Sequence, residues 1–281
     1  MTSKTGFQVL SVLAIVFAIA PAKGAERAKP DQVRVVYARP KNPEHEGLRA
    51  SLQKARALEK IRELLSPLRL PRKLTLKLEG CDGELNAWYD DDVVTVCYDY
   101  LAFITENAKK APERLRLNPR SALVGASLDL VLHEVGHAVF DMLKIPVFGR
   151  EEDAADMFSA YFMLQFAPRD AHTLVIATAY LSATEARQDQ KLVPSLKDYA
   201  NEHELPAQRY FNLLCMAYGS NPKLFADVLA LGKLPRDRAE GCEDEYNQIK
   251  YAFAILIRPH VDQTLLKKVR AKKWFDFRVG G

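Results

Sequence analysis

Residues 118–146 read NPRSALVGASLDLVLHEVGHAVFDMLKIP, and this stretch predicts one long helix inside the core. Asn118 is a favourable N-cap, and Pro119 suits the first helical position, where the backbone N–H has no helical partner. Pro146 ends the helix just before it, about seven turns later. Residues 121–132 are apolar nearly all round. That pattern is typical of a helix that crosses a core instead of lying on the surface.

Two histidines, His133 and His137, lie one turn apart on this predicted helix, so that both imidazoles can reach one metal ion. Glu134 is rotated aside, where a carboxylate can take a proton from metal-activated water. Gly136 costs about 1 kcal/mol relative to alanine inside a helix, which indicates a close approach to the backbone there. Although His-Glu-x-x-His fixes only three positions, its place on a buried helix predicts a zinc hydrolase.

A second buried helix is predicted after Arg150, where acidic residues lead into the apolar run 157–166 before Pro168. Glu152 and Asp156 are four positions apart and share one face of this helix. The helix macrodipole favours acidic residues in a first turn without any metal. It does not explain a carboxylate one turn further in, among apolar neighbours. We therefore predict Glu152 as the third metal ligand and Asp156 as the acceptor that orients a ligating histidine.

The pattern His133-Glu134-x-x-His137 followed by Glu152-x-x-x-Asp156 resembles the gluzincin clan of metallopeptidases. The resemblance implies that His133, His137 and Glu152 bind one Zn²⁺ ion. It also implies that Glu134 is the general base and that Asp156 supports a ligand from behind. The expected function is zinc-dependent cleavage of peptide bonds in a peptide or protein substrate.

The segment between the second histidine and the second helix is short for this clan, which leaves Glu151 and Asp153 as alternative third ligands. The wider chain also resembles a bacterial family of secreted metallopeptidases of unknown function. This likeness is carried by residues 149–156, by Asn86-Ala-Trp-Tyr89 before Cys97-Tyr98, and by residues 203–219. The last match makes His203 the candidate for stabilising the oxyanion, and Arg209 lies in the same segment. A packing or capping role is the alternative for both residues.

A net charge of +4 argues against nucleic acid as the main partner. One basic cluster, residues 267–273, is interpreted as a solvated helix face, with binding to an anionic envelope as the alternative. A second functional class also fits the motifs. It is a catalytically silent zinc protein that holds a peptide or envelope partner without cutting it. The sequence does not indicate an oligomeric state.

The amino terminus predicts export. Lys4 precedes the apolar run 9–20, and Ala20-Pro21-Ala22 offers small residues for cleavage, so residues 1–22 are interpreted as a signal peptide. An uncleaved anchor is the alternative. After removal of the signal we expect no stable membrane span and a periplasmic or secreted protein.

Four cysteines form an even set, for which disulfides are expected in an exported chain. Of the three possible pairings, we favour Cys81 with Cys97 and Cys215 with Cys242. Each of these pairs joins neighbouring elements and leaves the predicted metal helices free.

The expected fold is α+β: a mostly helical, zincin-like domain over residues 23–281 with a small mixed sheet. An upper lobe of about residues 31–145 is expected to face a helical lower lobe of about residues 146–281. Strands are predicted at 33–37 and 74–78, a hairpin at 86–98, and one helix at 48–65. By the zincin resemblance, residues 93–97 are expected to be the edge strand that pairs with substrate.

Overall fold

A computed structural model describes residues 32–189 and 197–277 of the 281-residue chain. The described part is mostly helical and includes a mixed sheet of four strands, which agrees with the expected α+β class. The predicted signal peptide, residues 1–22, lies outside the described residues.

The sheet has the strand order β1-β2-β4-β3. Its strands are β1 (Val33–Tyr37), β2 (Leu74–Glu79), β3 (Ala87–Asp90) and β4 (Val93–Cys97). Strands β1, β2 and β4 are parallel, and β3 runs antiparallel to β4. Alternate residues of β2 are fully buried, as the alternation of leucines in that strand predicts.

The predicted hairpin is confirmed, but the expectation that Val93–Cys97 is the edge strand is wrong. This strand pairs with β2 on one side and with β3 on the other, so the edge strand of the hairpin is Ala87–Asp90. Asp91 and Asp92 form its tight turn, with φ values of 45° and 63°. Strand order was misjudged because it depends on β2, which is distant in sequence, and the local apolar pattern does not record that pairing.

The predicted helix over residues 48–65 is instead two helices, α1 (Glu46–Lys54) and α2 (Ala57–Leu65). They are separated at Arg56, which has a left-handed backbone with φ 54°. The apolar spacing continues across this break, because both helices turn apolar residues toward the same core. Periodicity therefore predicts the helical content here and misses the single residue that leaves the helical conformation.

The central helix, α4 (Pro119–Leu143), follows α3 (Tyr98–Ala108) and has the predicted start and end. The side chain of Asn118 accepts a hydrogen bond from Ser121 N at 2.7 Å and caps the first turn. Lys144 ends the helix with a left-handed backbone. Within the described residues, α4 is long and apolar enough to cross a membrane by length and composition, and 67% of its most apolar stretch is buried inside the fold. That burial is typical of a core helix.

Helix α4 packs between α5 (Glu151–Met163) and α6 (Pro168–Asp189). A Cβ atom at Gly136 would lie 3.2 Å from Cα of Ala155 on α5. The close approach that the glycine predicted is therefore present. Because Gly136 lies between the two motif histidines and directly precedes His137, this contact brings the acidic first turns of α5 beside the histidines.

Five further α-helices follow α6 in the described chain. They are α7 (Pro206–Ser220), α8 (Ala226–Ala230), α9 (Arg236–Ala239), α10 (Cys242–Ala252) and α11 (Gln263–Ala271). A π-helical turn, Phe253–Ile257, continues α10. One hydrophobic cluster includes residues of the sheet, of α4 to α6 and of α7.

Both predicted disulfides are present, Cys81–Cys97 and Cys215–Cys242. The first ties the segment before the hairpin to the end of β4, and the second ties α7 to α10. Disulfides persist in oxidising compartments, so they agree with an exported protein.

Candidate metal centre

The two motif histidines converge through their Nε2 atoms. His133 and His137 lie on one face of α4, with their Nε2 atoms 3.3 Å apart and their ring centroids 5.0 Å apart. His133 is buried, whereas His137 is partly open to solvent. The helical spacing of four residues therefore brings both Nε2 atoms to one point, called the focus below, as the sequence predicts.

Helix α5 brings a carboxylate to the same focus. Oε2 of Glu152 lies 3.0 Å from Nε2 of His133 and 3.4 Å from Nε2 of His137. In a tetrahedral zinc site with bonds of about 2.0–2.1 Å, neighbouring ligand atoms are about 3.3 Å apart. The three observed separations match this value, so the two histidines and Glu152 are spaced to hold one such ion.

Neither alternative ligand lies at this focus. Glu151 is hydrogen-bonded to Nδ1 of His137 at 2.8 Å, on the side of the ring that faces away from the other histidine. Asp153 forms an ion pair with Arg150 at 2.9 Å. Their positions follow from the helix: residues adjacent to Glu152 are rotated by about 100° and point elsewhere.

Asp156 lies one turn further along α5 and contacts the other side of the His133 ring. Its Oδ1 accepts a hydrogen bond from Nδ1 of His133 at 2.7 Å, so Nε2 is the nitrogen that could bind a metal once the ring is neutral. Asp156 is therefore in contact with one of the two motif histidines.

Arg209, on α7, holds Asp156 from behind. Its guanidinium donates two hydrogen bonds to the carboxylate, from Nε at 2.8 Å and from Nη2 at 2.7 Å. Burial alone would raise the pKa of Asp156, but Arg209 and His133 together hold it well below the ordinary value. The sequence analysis named Arg209 together with His203 and assigned it no partner. This contact was missed because 53 residues separate its two members and neither has a local signal for the other.

The neighbouring carboxylates also raise the pKa of His133. Burial lowers the pKa of His133, but its hydrogen bonds to Asp156 and Glu152 prevail and raise it to about 9. The pKa of Glu152 lies far below its ordinary value, because three histidines donate to its carboxylate. Without a metal, the positive charge beside these two carboxylates is therefore carried by protons on the histidines, and a divalent cation would take their place.

His203 joins the same cluster from the loop before α7. Its Nε2 lies 2.8 Å from Oε2 of Glu152, and its ring stacks on that of His133 with centroids 6.0 Å apart. Ligand atoms of His133, Glu152 and His203 all lie within 4.8 Å of one another, so this triad could also hold a metal ion. The side chain of His203 is half exposed, in contrast to His133.

Glu134 is buried beside this cluster. Burial raises the pKa of its carboxyl group, and the charges of His133 and His137 oppose that rise. Within residues 32–189 and 197–277, no hydrogen bond or ion pair engages this carboxylate. It is therefore held near the histidines without being committed to another side chain.

Residues 37–257 match the model of the family DUF4344, which is described as "Putative metallopeptidase". The chain belongs to this family. No curated protein and no solved structure gives a significant match to it. Family membership indicates a hydrolase that uses a metal ion, and the cluster on α4, α5 and the loop before α7 is a site that could hold one.

Proposed function

We propose that this protein is an exported, zinc-dependent endopeptidase of the gluzincin type. The observation that carries the proposal is the set of separations among His133, His137 and Glu152, which are 3.0, 3.3 and 3.4 Å. They match the edges of a tetrahedral zinc site. Two histidines and one glutamate leave a fourth position open, as catalytic zinc sites do, whereas structural zinc sites are closed by cysteine or histidine.

Bound to these side chains, a zinc ion would supply a Lewis acid that polarises the scissile carbonyl and lowers the pKa of water toward about 7. Glu134 accepts the proton of the attacking water and returns it to the leaving amine. Its burial suits this role, because a raised carboxyl pKa lies closer to the pH at which both transfers must occur.

Asp156 and Arg209 keep His133 in one orientation. The carboxylate fixes the proton on Nδ1, and the guanidinium holds the carboxylate in place. Partners of this kind, behind the ligands themselves, commonly change metal affinity or activity by about 10–100-fold when they are removed.

His203 is proposed as the hydrogen-bond donor to the oxyanion that develops on the substrate carbonyl. It lies at the open side of the cluster and is half exposed, so a substrate can reach it. A preorganised donor of this kind contributes about 10²–10³-fold to turnover.

The edge strand β3 is proposed as the site that pairs with an extended peptide. Its outer edge has no neighbouring strand within the described residues. Tyr89, at its end, donates a hydrogen bond to Asp141 on α4 at 2.8 Å, which fixes this strand alongside the metal helix. A peptide can add to such an edge through main-chain hydrogen bonds.

The proposed compartment is the periplasm or the cell exterior. Two disulfides in the described chain and the apolar run in residues 9–20 support export. A peptide or protein is the proposed substrate, and nucleic acid is not a proposed partner.

The test is the variant Glu134→Gln, measured for metal content and for cleavage of an unfolded protein mixture with and without a chelator. We expect one zinc per chain, as in the wild type, and turnover reduced by about 10²–10⁴-fold, because the general base is lost. The exposed Glu113→Gln serves as the matched control and should retain full activity.

Undiminished cleavage by Glu134→Gln would remove Glu134 from its role. Zinc-dependent binding of peptides by the wild type, without fragments, would instead support the silent binding protein. Wild-type protein that retains no zinc at all would overturn both functions.

A further inference from the structure

A second site lies on the opposite side of α5 from the metal centre. It is a cavity of about 650 Å³, within the range of about 300–1,000 Å³ that is usual for small-molecule sites. On α5, Phe158, Tyr161 and Phe162 line the cavity, whereas Glu152 and Asp156 face the metal centre. At 100° per residue these two faces are about 150° apart around the helix. The cavity is therefore separate from the metal centre.

The walls of the cavity are apolar and largely aromatic. They come from the end of α2, from α5, from the π-helical turn and from α11, and include Leu64, Leu68, Phe158, Phe162, Phe253 and Ile257. The rings of Phe253 and Tyr161 lie 4.1 Å apart, and those of Phe253 and Phe158 lie 5.4 Å apart. Tyr161, Phe162 and Phe253 remain partly exposed, so covering them with an apolar group is favourable.

The backbone beside this aromatic wall is unusual. Phe253–Ile257 forms a π-helical turn, which is rare and is found frequently at functional sites. It contributes Phe253, Ala254 and Ile257 to the lining. Ala254 is exposed, so it marks the mouth of the cavity.

Positive charge surrounds this apolar interior. Five basic residues line the cavity against one acidic residue, Asp170; the basic residues are Lys250, Arg258, Arg270, Lys272 and Lys273. Lys272 is paired with Glu63, and Arg270 donates to Gln165. In the part of the chain that the structure describes, the other three basic residues form no salt bridge. The potential at the mouth therefore favours an anionic group.

We propose that this cavity binds a free, single-chain amphiphile with an anionic head, of the long-chain fatty acid class. Its acyl chain lies among the aromatic walls, and its carboxylate lies near Lys250 and Arg258 at the rim. Membrane lipids can also have anionic headgroups attached to acyl chains. However, the apolar groups here line a concave space instead of a flat, exposed face, which suits one detached chain better than a bilayer surface.

The proposal revises the interpretation of the basic cluster at residues 267–273. Lys267 and Lys268 are exposed and lie outside the cavity lining, as expected for a solvated helix face. Arg270, Lys272 and Lys273 line the cavity and form part of its charged rim.

The chain provides its own reporter for a binding experiment. It has two tryptophans, of which Trp274 lines the cavity and Trp88 lies on β3. In the variant Trp88→Phe, the fluorescence of Trp274 is titrated with a homologous series of saturated fatty acids and with the matching neutral alcohols. Quenching by a chain-brominated fatty acid serves as a second measurement. Neither readout depends on metal or on peptidase activity, so the result is independent of the proposed function.

Each added methylene should tighten binding about fourfold, and two methylenes about fifteenfold, until the cavity is filled. Ala254→Phe, which places a ring in the mouth, should abolish binding. Lys250→Gln combined with Arg258→Gln should weaken fatty acids about tenfold and leave the alcohols unchanged. The matched control, Lys54→Gln with Lys223→Gln, removes the same charge from exposed sites outside the cavity lining and should have no effect.

Three results would overturn the proposal. The first is an affinity for fatty acids that does not change with the length of the acyl chain. The second is unaltered fatty-acid binding by a folded Ala254→Phe variant. The third is binding of the protein to anionic vesicles without binding to free fatty acid. A cavity occupied by another part of the chain would give no titration in the wild type, which also counts against it.

Discussion

Replacing Arg209 with methionine removes the cation that holds Asp156 behind the metal centre. The guanidinium makes two hydrogen bonds of 2.7 and 2.8 Å to a carboxylate that is only 18% exposed. Without it, the charge of Asp156 is compensated only by its bond to His133. Removing one partner of a buried ion pair costs about 3–5 kcal/mol.

The size of the effect follows from how well this pair is shielded from water. The side chain of Arg209 is 29% exposed, so solvent screens part of the interaction and we expect the lower end, about 3 kcal/mol. For a chain of this length, about 1 kcal/mol lowers the melting temperature by about 2–4 °C. The variant should therefore melt about 6–12 °C below the wild type, with both proteins prepared free of metal.

A second signature comes from pH. The pKa of Asp156 is lower in the folded protein than in the unfolded chain. The ionised carboxylate therefore stabilises the fold at a pH above its ordinary pKa, and this stabilisation is lost as the pH falls below that pKa. The difference in unfolding free energy between wild type and Arg209→Met should accordingly shrink in acid. A pH-independent difference would indicate that lost packing, instead of lost charge, explains the destabilisation.

The matched control is Arg150→Met, because the side chain of Arg150 is 47% exposed, so solvent screens its ion pairs with Asp153 and Glu204. That change should cost less than about 1 kcal/mol. Chemical denaturation and calorimetry measure both variants. If Arg209→Met is no more destabilising than Arg150→Met, the argument for a buried, charge-dependent support of the metal centre is refuted.

Three further predictions concern the frame around the centre. Gly125→Ala should destabilise the fold by about 2 kcal/mol in denaturant titrations despite the better helix propensity of alanine, because its Cβ would lie 2.5 Å from that of Ala177 on α6. An unchanged midpoint would contradict this packing. Replacing Cys81 and Cys97 together by alanine should cost about 3 kcal/mol, the value for a loop of 16 residues, and reducing agent should then have a smaller effect on the variant than on the wild type. A lysine, a tyrosine and an arginine lower the pKa of Asp141 from 3.8 to about 2, so its stabilisation is present above pH 3.8 and is lost as the pH falls toward 2. Since this side chain is 41% exposed, Asp141→Asn should remove about 1 kcal/mol at neutral pH and almost nothing near pH 2 in urea titrations, and an equal loss at both pH values would exclude this titration as the cause.

Local signals in the sequence were sufficient for the helices that carry the centre. Asn118 and Pro119 specify the start of α4, and the helical period alone places His133 and His137 on one face. Capping, proline geometry and the helical period act over a few residues, so they can be recognised without knowledge of the fold. The four-residue spacing of the acidic pair on α5 was informative for the same reason.

Contacts between distant segments could not be recognised in this way. The position of β4 between β2 and β3 cannot be recognised from the sequence. The apolar residues of β4 would also suit an edge strand that has one buried face. The break at Arg56 also leaves the apolar spacing intact, so it is visible only in the backbone.

The amino-acid sequence by itself determined the helix that carries the two motif histidines, its acidic neighbour and the pairing of cysteines, because each depends on periodicity, capping or proximity along the chain. Only the tertiary structure decided which strand forms the edge, that Arg209 supports Asp156, and that an aromatic cavity with a basic rim lies behind α5. These features arise where helices and strands far apart in sequence pack together. The free energy of such packing depends on the whole core instead of on any local stretch of residues.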